Sequence, residues 1–168
     1  ATIKAPFHLA AGTTEDDLCS AFAELCAMHA PITIAALKLS QRGRFFALTI
    51  EGDESAVRSL AAQTVQSLDP FRAPLNDDDL QRRKSSRLPA RQMANLSQWG
   101  YPHVMDDFQF HVTLTGNVKD AKIDRVRTAA EAYLTPVLPS PYALDTLTLA
   151  GQSIDGMFRE ILRLPLRG

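Results

Sequence analysis

Phe108-Gln109-Phe110-His111-Val112-Thr113-Leu114-Thr115-Gly116 is the stretch on which the reading of the whole chain turns. Its alternation suits a β-strand, and on a strand residues i and i+2 project from the same face. His111 and Thr113 therefore point together, while Val112 and Leu114 point the other way, into a core. An imidazole moves a proton near neutral pH, and a hydroxyl hydrogen-bonds an anionic oxygen. One such pair is a common accident, so its weight depends on a second.

The order of elements repeats. Residues 1–10 read as a strand interrupted by Pro6. Thr13 to Asp17 is a hydroxyl cap followed by acids, a helix start. The helix carries the stripe Leu18, Phe22, Leu25 and His29 and ends at Pro31. Ile32–Leu39 and Phe45–Glu51 read as a hairpin turning through Gln41 to Arg44. A helix capped by Asp53 follows, with Val57, Leu60, Ala61, Thr64 and Leu68 on one face. Residues 69–79 form a loop, and 80–84 and 89–99 form short helices, the second stopped by Gly100. The strand Phe108–Leu114, a helix Asp120–Leu134 with Ile123, Val126, Ala130 and Tyr133 in line, and a hairpin of Tyr142–Leu149 with Met157–Leu164 complete the chain. Strand, helix, proline, strand, strand thus occurs twice. Thr2 matches Thr113, Pro31 matches Pro141 and Phe46 matches Phe158, at offsets of 111, 110 and 112.

Two such repeats predict an α+β fold of two pseudo-symmetric lobes, each an antiparallel sheet covered by helices, around a concave cleft. Lobe one covers about 1–52, a helical connector about 53–107 and lobe two about 108–168, within one domain. The repeat places the counterpart of His111 one residue before Ala1. The natural protein is therefore expected to extend further N-terminally and to carry histidine there, making Thr2 the hydroxyl of a second motif.

Paired His-x-Thr motifs resemble those of the 2H phosphoesterase superfamily. Four stretches resemble more closely its phosphonate-metabolism-associated, DUF1045-type branch: Ala1-Thr2-Ile3-Lys4-Ala5-Pro6-Phe7, Asp69-Pro70-Phe71-Arg72-Ala73-Pro74-Leu75, Trp99-Gly100-Tyr101-Pro102 and Phe108 to Gly116. The resemblance implies a hydrolase that cuts small, often cyclic, phosphodiesters or RNA ends with neither metal nor cofactor, and a cytoplasmic setting is expected from Cys19 and Cys26, which read as reduced thiols. One imidazole acts as general base and the other as general acid. His111 is the catalytic histidine in view. Thr113 and Thr2 would hold non-bridging oxygens, and a cation would stabilise the developing charge. Lys4 shares a strand face with Thr2. Arg72 lies in a loop stiffened by Pro70 and Pro74, which pre-organises a guanidinium for phosphate. Tyr101, between Gly100 and Pro102, would line the cleft and stack on a sugar or base. The alternative is a non-catalytic module of the same fold that binds a phosphate ester or an RNA end.

Composition narrows the partners. The 168 residues carry a net charge of -1, which opposes an extended nucleic-acid surface but allows a local cationic pocket among 18 Lys and Arg. The expected partner is a small-molecule phosphate ester, with no membrane, since no apolar run reaches the ~20 residues of a span. Cys19 and Cys26 are seven apart, about 10.5 Å along a helix, too far for a disulfide. Arg82, Arg83, Lys84 and Arg87 form a basic run beside Asp77 to Asp79, more often a solvated face than a site. Arg91 and Gln92 are minor ligand candidates, and His8, His29 and His103 read as structural.

Overall fold

A computed structural model describes residues 1–83 and 88–168, with the backbone alone at residue 82; Lys84 and Arg87 of the basic run lie outside the described residues. Helices and antiparallel strands mix along the chain, as the α+β reading expects. The chain divides into two compact units that interleave in sequence: residues 1–2, 32–57 and 109–144 form the first, and 3–31, 58–108 and 145–168 the second.

The first unit holds two small sheets. β1 (Ile32–Ile34) pairs antiparallel with β5 (Tyr142–Leu144), so the two proline-led strands of the repeat meet each other. β2 (Ala36–Arg42) and β3 (Phe45–Glu51) form the expected hairpin, with Gly43 at φ +58° in its turn. β4 (Val112–Thr113) adds to the free edge of β3, with Ala47 opposite Thr113 and Leu48 opposite Val112. Phe46, Ala47, Leu48 and Ile50 are buried. α5 (Ile123–Leu134) places the Arg127 guanidinium 5.3 Å from the Phe46 ring centre. Its expected stripe fails at one end, because Tyr133 is 75% exposed while Arg127 supplies the inward contact.

In the second unit, α1 (Glu15–Met28) starts at a reciprocal cap: Thr14 Oγ1 accepts from the Asp17 amide, and Asp17 Oδ2 accepts from the Thr14 amide. Its buried face, Leu18, Phe22, Leu25 and Cys26, packs on the hairpin of β6 (Thr146–Gln152) and β7 (Phe158–Pro165). Both cysteines are free thiols, and burial pushes the Cys26 thiol up. α2 (Ser55–Ser67) begins where Asp53 accepts from the Ser55 amide, and Val57, Leu60, Ala61, Thr64 and Leu68 are buried as expected. α3 (Asp77–Arg83) starts three residues earlier than the sequence suggests, because Asn76 Oδ1 accepts from the Asp79 amide. α4 (Ala90–Trp99) stops at Gly100, which has φ +72°.

Two expected strands are absent or short. Residues 1–10 form no strand, only an isolated bridge from Leu9 to Arg72. Pro6 lacks an amide, and neighbouring groups bond to the 69–73 loop instead: the Ala73 amide donates to His8 O and the Ala10 amide to Phe71 O. Phe108–Leu114 keeps only the two residues of β4 as strand, since Phe108 caps a 3₁₀ turn (Met105–Asp107) and His111 bonds to its own chain.

Candidate functional site

His111 enters the sheet through β4, an edge strand pinned to β3 on one side. The Leu114 amide donates to Phe46 O at 2.9 Å, and the Phe46 amide donates to Thr115 Oγ1 at 3.1 Å. His111, immediately before β4, is half-buried. Its Nδ1 lies 2.8 Å from Gln109 O. A carbonyl oxygen can only accept, so this bond fixes the proton on Nδ1 and leaves Nε2 as the nitrogen that exchanges a proton. The Phe45 ring lies 6.4 Å from the imidazole, tilted by 50°. Thr113 is exposed on β4, opposite Ala47, with Ser40 next in the row on β2.

Thr2 belongs to the same unit as His111 and is exposed outside any strand. Lys4, Arg72 and Tyr101 belong to the second unit. There the structure draws together three of the four stretches that carry the resemblance. Lys4 Nζ donates to Val65 O at 3.1 Å and to Asp69 Oδ1 at 3.3 Å. Arg72 Nε and Nη2 grip the two Asp69 oxygens at 2.8 and 3.2 Å, and further bonds run to Ala73 O and Gln98 O. Arg83 donates to Gly100 O and to Pro6 O, and its guanidinium lies 5.8 Å from the Tyr101 ring. Gly100 has to be glycine on two counts: its positive φ, and an Arg72 side chain that would stand 3.1 Å from a Cβ.

In this knot one carboxylate, Asp69, serves two cations, Lys4 and Arg72. Burial pushes the Asp69 carboxyl up, but the Arg72 hydrogen bond and the Lys4 charge outweigh it and leave it below its ordinary value. Burial pushes the Lys4 ammonium down against the pull of Asp69. Four of the five Arg72 N–H groups have acceptors, on its own loop and at Gln98 O of α4. Tyr101 is wedged between Arg83 and an edge-on His103. Arg91 and Gln92 are spent likewise, on Asp107 at 2.7 and 3.3 Å.

A cation that the sequence reading left in the hairpin turn, Arg42, lies on this unit too. It pairs with Phe45 across the hairpin, and its Nη2 donates to the Gln109 side chain. The signal was available, since alternation along β2 puts Lys38, Ser40 and Arg42 on one face and Leu37 and Leu39 on the other. Ser40 Oγ and Thr49 Oγ1 lie 2.6 Å apart on that polar face. Among the described residues no three His, Cys, Asp or Glu gather closely enough to hold a metal ion, and no helix is long and apolar enough to cross a membrane.

A family described as "Protein of unknown function (DUF1045)" matches residues 2–159, and the chain belongs to it. It is also similar to two proteins named ribose 1,5-bisphosphate phosphokinase PhnN. The one from Janthinobacterium sp. (strain Marseille) is 35% identical over 100% of this chain and 38% of its own length. The one from Laribacter hongkongensis (strain HLHK9) is 28% identical over 84% of this chain and 32% of its own length. The chain thus spans about a third of the length of the relatives it matches.

Proposed function

We propose that this DUF1045 chain is a phosphoesterase of the 2H type, acting on a small, cyclic phosphodiester of ribose in phosphonate metabolism. The observation that carries the reading is the His111 ring, bonded through Nδ1 to Gln109 O, which leaves Nε2 to move a proton. In the hydrolytic step a water oxygen bonds to phosphorus, one P–O ester bond breaks, and the departing oxygen takes a proton. His111 Nε2 either accepts the proton of that water or donates the one the leaving oxygen needs. The histidine expected before Ala1 does the other. Thr113 and Thr2 bind non-bridging oxygens.

The phosphonate setting comes from the sequence resemblance, and the ribose comes from the names of the two relatives. Those names describe a kinase, but no glycine-rich phosphate loop of the P-loop type occurs in these 168 residues. In this reading phosphoryl transfer belongs to the part of the relatives that the chain does not match. Lys4, Arg72 and Tyr101 serve the fold of the second unit. The test is turnover of cyclic ribose phosphodiesters by the full-length natural protein. His111→Ala should lower kcat by about 10²- to 10⁴-fold while ligand affinity persists. Turnover should survive a chelator. A binding module would show no turnover to lose, and a wild-type rate in His111→Ala would refute the assignment.

A further inference from the structure

The phosphoesterase reading needs a cation beside His111, and the two cations named from the sequence, Lys4 and Arg72, belong to the second unit, where both bond to Asp69. Most of the other arginines in close ion pairs have carboxylates too: Arg44 with Asp120, Arg91 with Asp107, Arg159 with Asp155 and Arg163 with Glu160. Arg42 differs. Like Arg127, whose acceptor is Gln41 Oε1, it bonds to a neutral amide, Gln109 Oε1, and among the described residues no carboxylate pairs with it. One of its five N–H groups is used there, so two parallel N–H groups remain for a bidentate contact.

Its position is set by register rather than by a mobile loop. Arg42 stands opposite Phe45, whose ring lies against His111, and its guanidinium reaches the residue whose carbonyl fixes His111. Alternation puts it on the same sheet face as Ser40, Thr49 and Thr113. An uncompensated guanidinium, an oriented imidazole and a hydroxyl, with an aromatic wall, form a set suited to a phosphate dianion.

We propose that Arg42 is the cation of this site, binding the non-bridging phosphate oxygens and stabilising the charge that grows on them as the ester bond breaks. This rests on the reading above, and the test separates the two. Binding of inorganic phosphate to the full-length protein, measured by calorimetry, needs no turnover. Arg42→Gln should weaken it by about tenfold or more, Arg42→Lys should recover part of it, and Arg44→Gln should leave it unchanged. With a 2′,3′-cyclic ribonucleoside monophosphate as substrate, Arg42→Gln should lower kcat/KM by about 10²-fold, the scale of losing one oxyanion donor. Equal phosphate binding by wild type and Arg42→Gln, or none by wild type, overturns the role of Arg42. If His111→Ala keeps wild-type turnover while Arg42→Gln loses phosphate, the hydrolase reading fails and the anion site stands.

Discussion

The two hairpins that the sequence repeat sets against each other have different fates in the fold. β2–β3 pairs without a break from Ala36–Glu51 to Arg42–Phe45, and β4 closes its outer edge. β6–β7 slips register between Leu149 and Ala150, and among the described residues β7 has no second neighbour. Phe46 and Phe158 occupy matching places, yet the first is 0% exposed and the second 52%. A two-stranded ribbon buries one face at best and leaves a free edge. The third strand changes that for β2–β3, and it is the strand that delivers His111 and Thr113. The same short segment thus completes the packed sheet and carries the proposed pair, His111 and Thr113.

The largest effect should appear on swapping the matched rings. Phe46→Ala should cost about 3–5 kcal/mol, the range for emptying a buried aromatic site. Phe158→Ala should cost about 1 kcal/mol or less, as at a surface position. Urea unfolding of both variants measures the difference. An equal cost at the two positions would break the comparison, because it would mean that something covers β7 in solution.

The counterpart of β4 gives the next test. The repeat sets Thr2 against Thr113, but where a strand would follow, Lys4 is tied to Asp69 and the segment bonds to the 69–73 loop. Asp69→Asn removes the carboxylate shared by two half-buried cations and should cost about 2 kcal/mol. The Asp69 carboxyl titrates below its ordinary value, so its contribution is present above the unfolded pKa near ~3.9. That contribution is lost as pH falls through the lower folded value. Acid unfolding of the wild type should therefore include a loss of stability below about pH 4 that Asp69→Asn lacks. The same acid profile in both proteins would show that the knot contributes nothing.

The helices, both hairpins and the buried face of α2 were legible because period and caps are local signals. Leu18, Phe22 and Leu25 are buried because they recur along one face, and Gly100 ends α4 because an αL residue was required there. What the sequence concealed was partnership. Nothing in Lys4 or Arg72 announces that both would bind Asp69, since a stiffened arginine loop reads alike whether it meets a ligand or its own carboxylate. Arg42 was passed over as a turn residue, because its importance depends on which strand settles beside β3, a contact between residues more than sixty positions apart. Alternation led to the expectation that His111 and Thr113 share a face. It could not show that the strand would shrink to two residues while the histidine bonded to its own backbone.

The smallest effects should come from the two turns, and they divide the hairpins most finely. Gly43 turns β2 into β3 at φ +58°, and Gly156 lies at φ +81° in the connection between β6 and β7. A Cβ at Gly43 would meet nothing within 4 Å, and one at Gly156 only the Gln152 amide nitrogen at 4.0 Å. Alanine at either place therefore pays only for the left-handed backbone, about 1 kcal/mol. In a chain of this size that lowers Tm by about 2–4 °C. The consequences for binding should differ. Gly43 immediately follows Arg42, so a turn that relaxes its φ rotates the guanidinium off its register with Phe45. Gly43→Ala should weaken phosphate binding severalfold, while Gly156→Ala should match it in Tm and leave binding untouched. Equal phosphate binding in the two variants would detach Arg42 from the geometry of its hairpin.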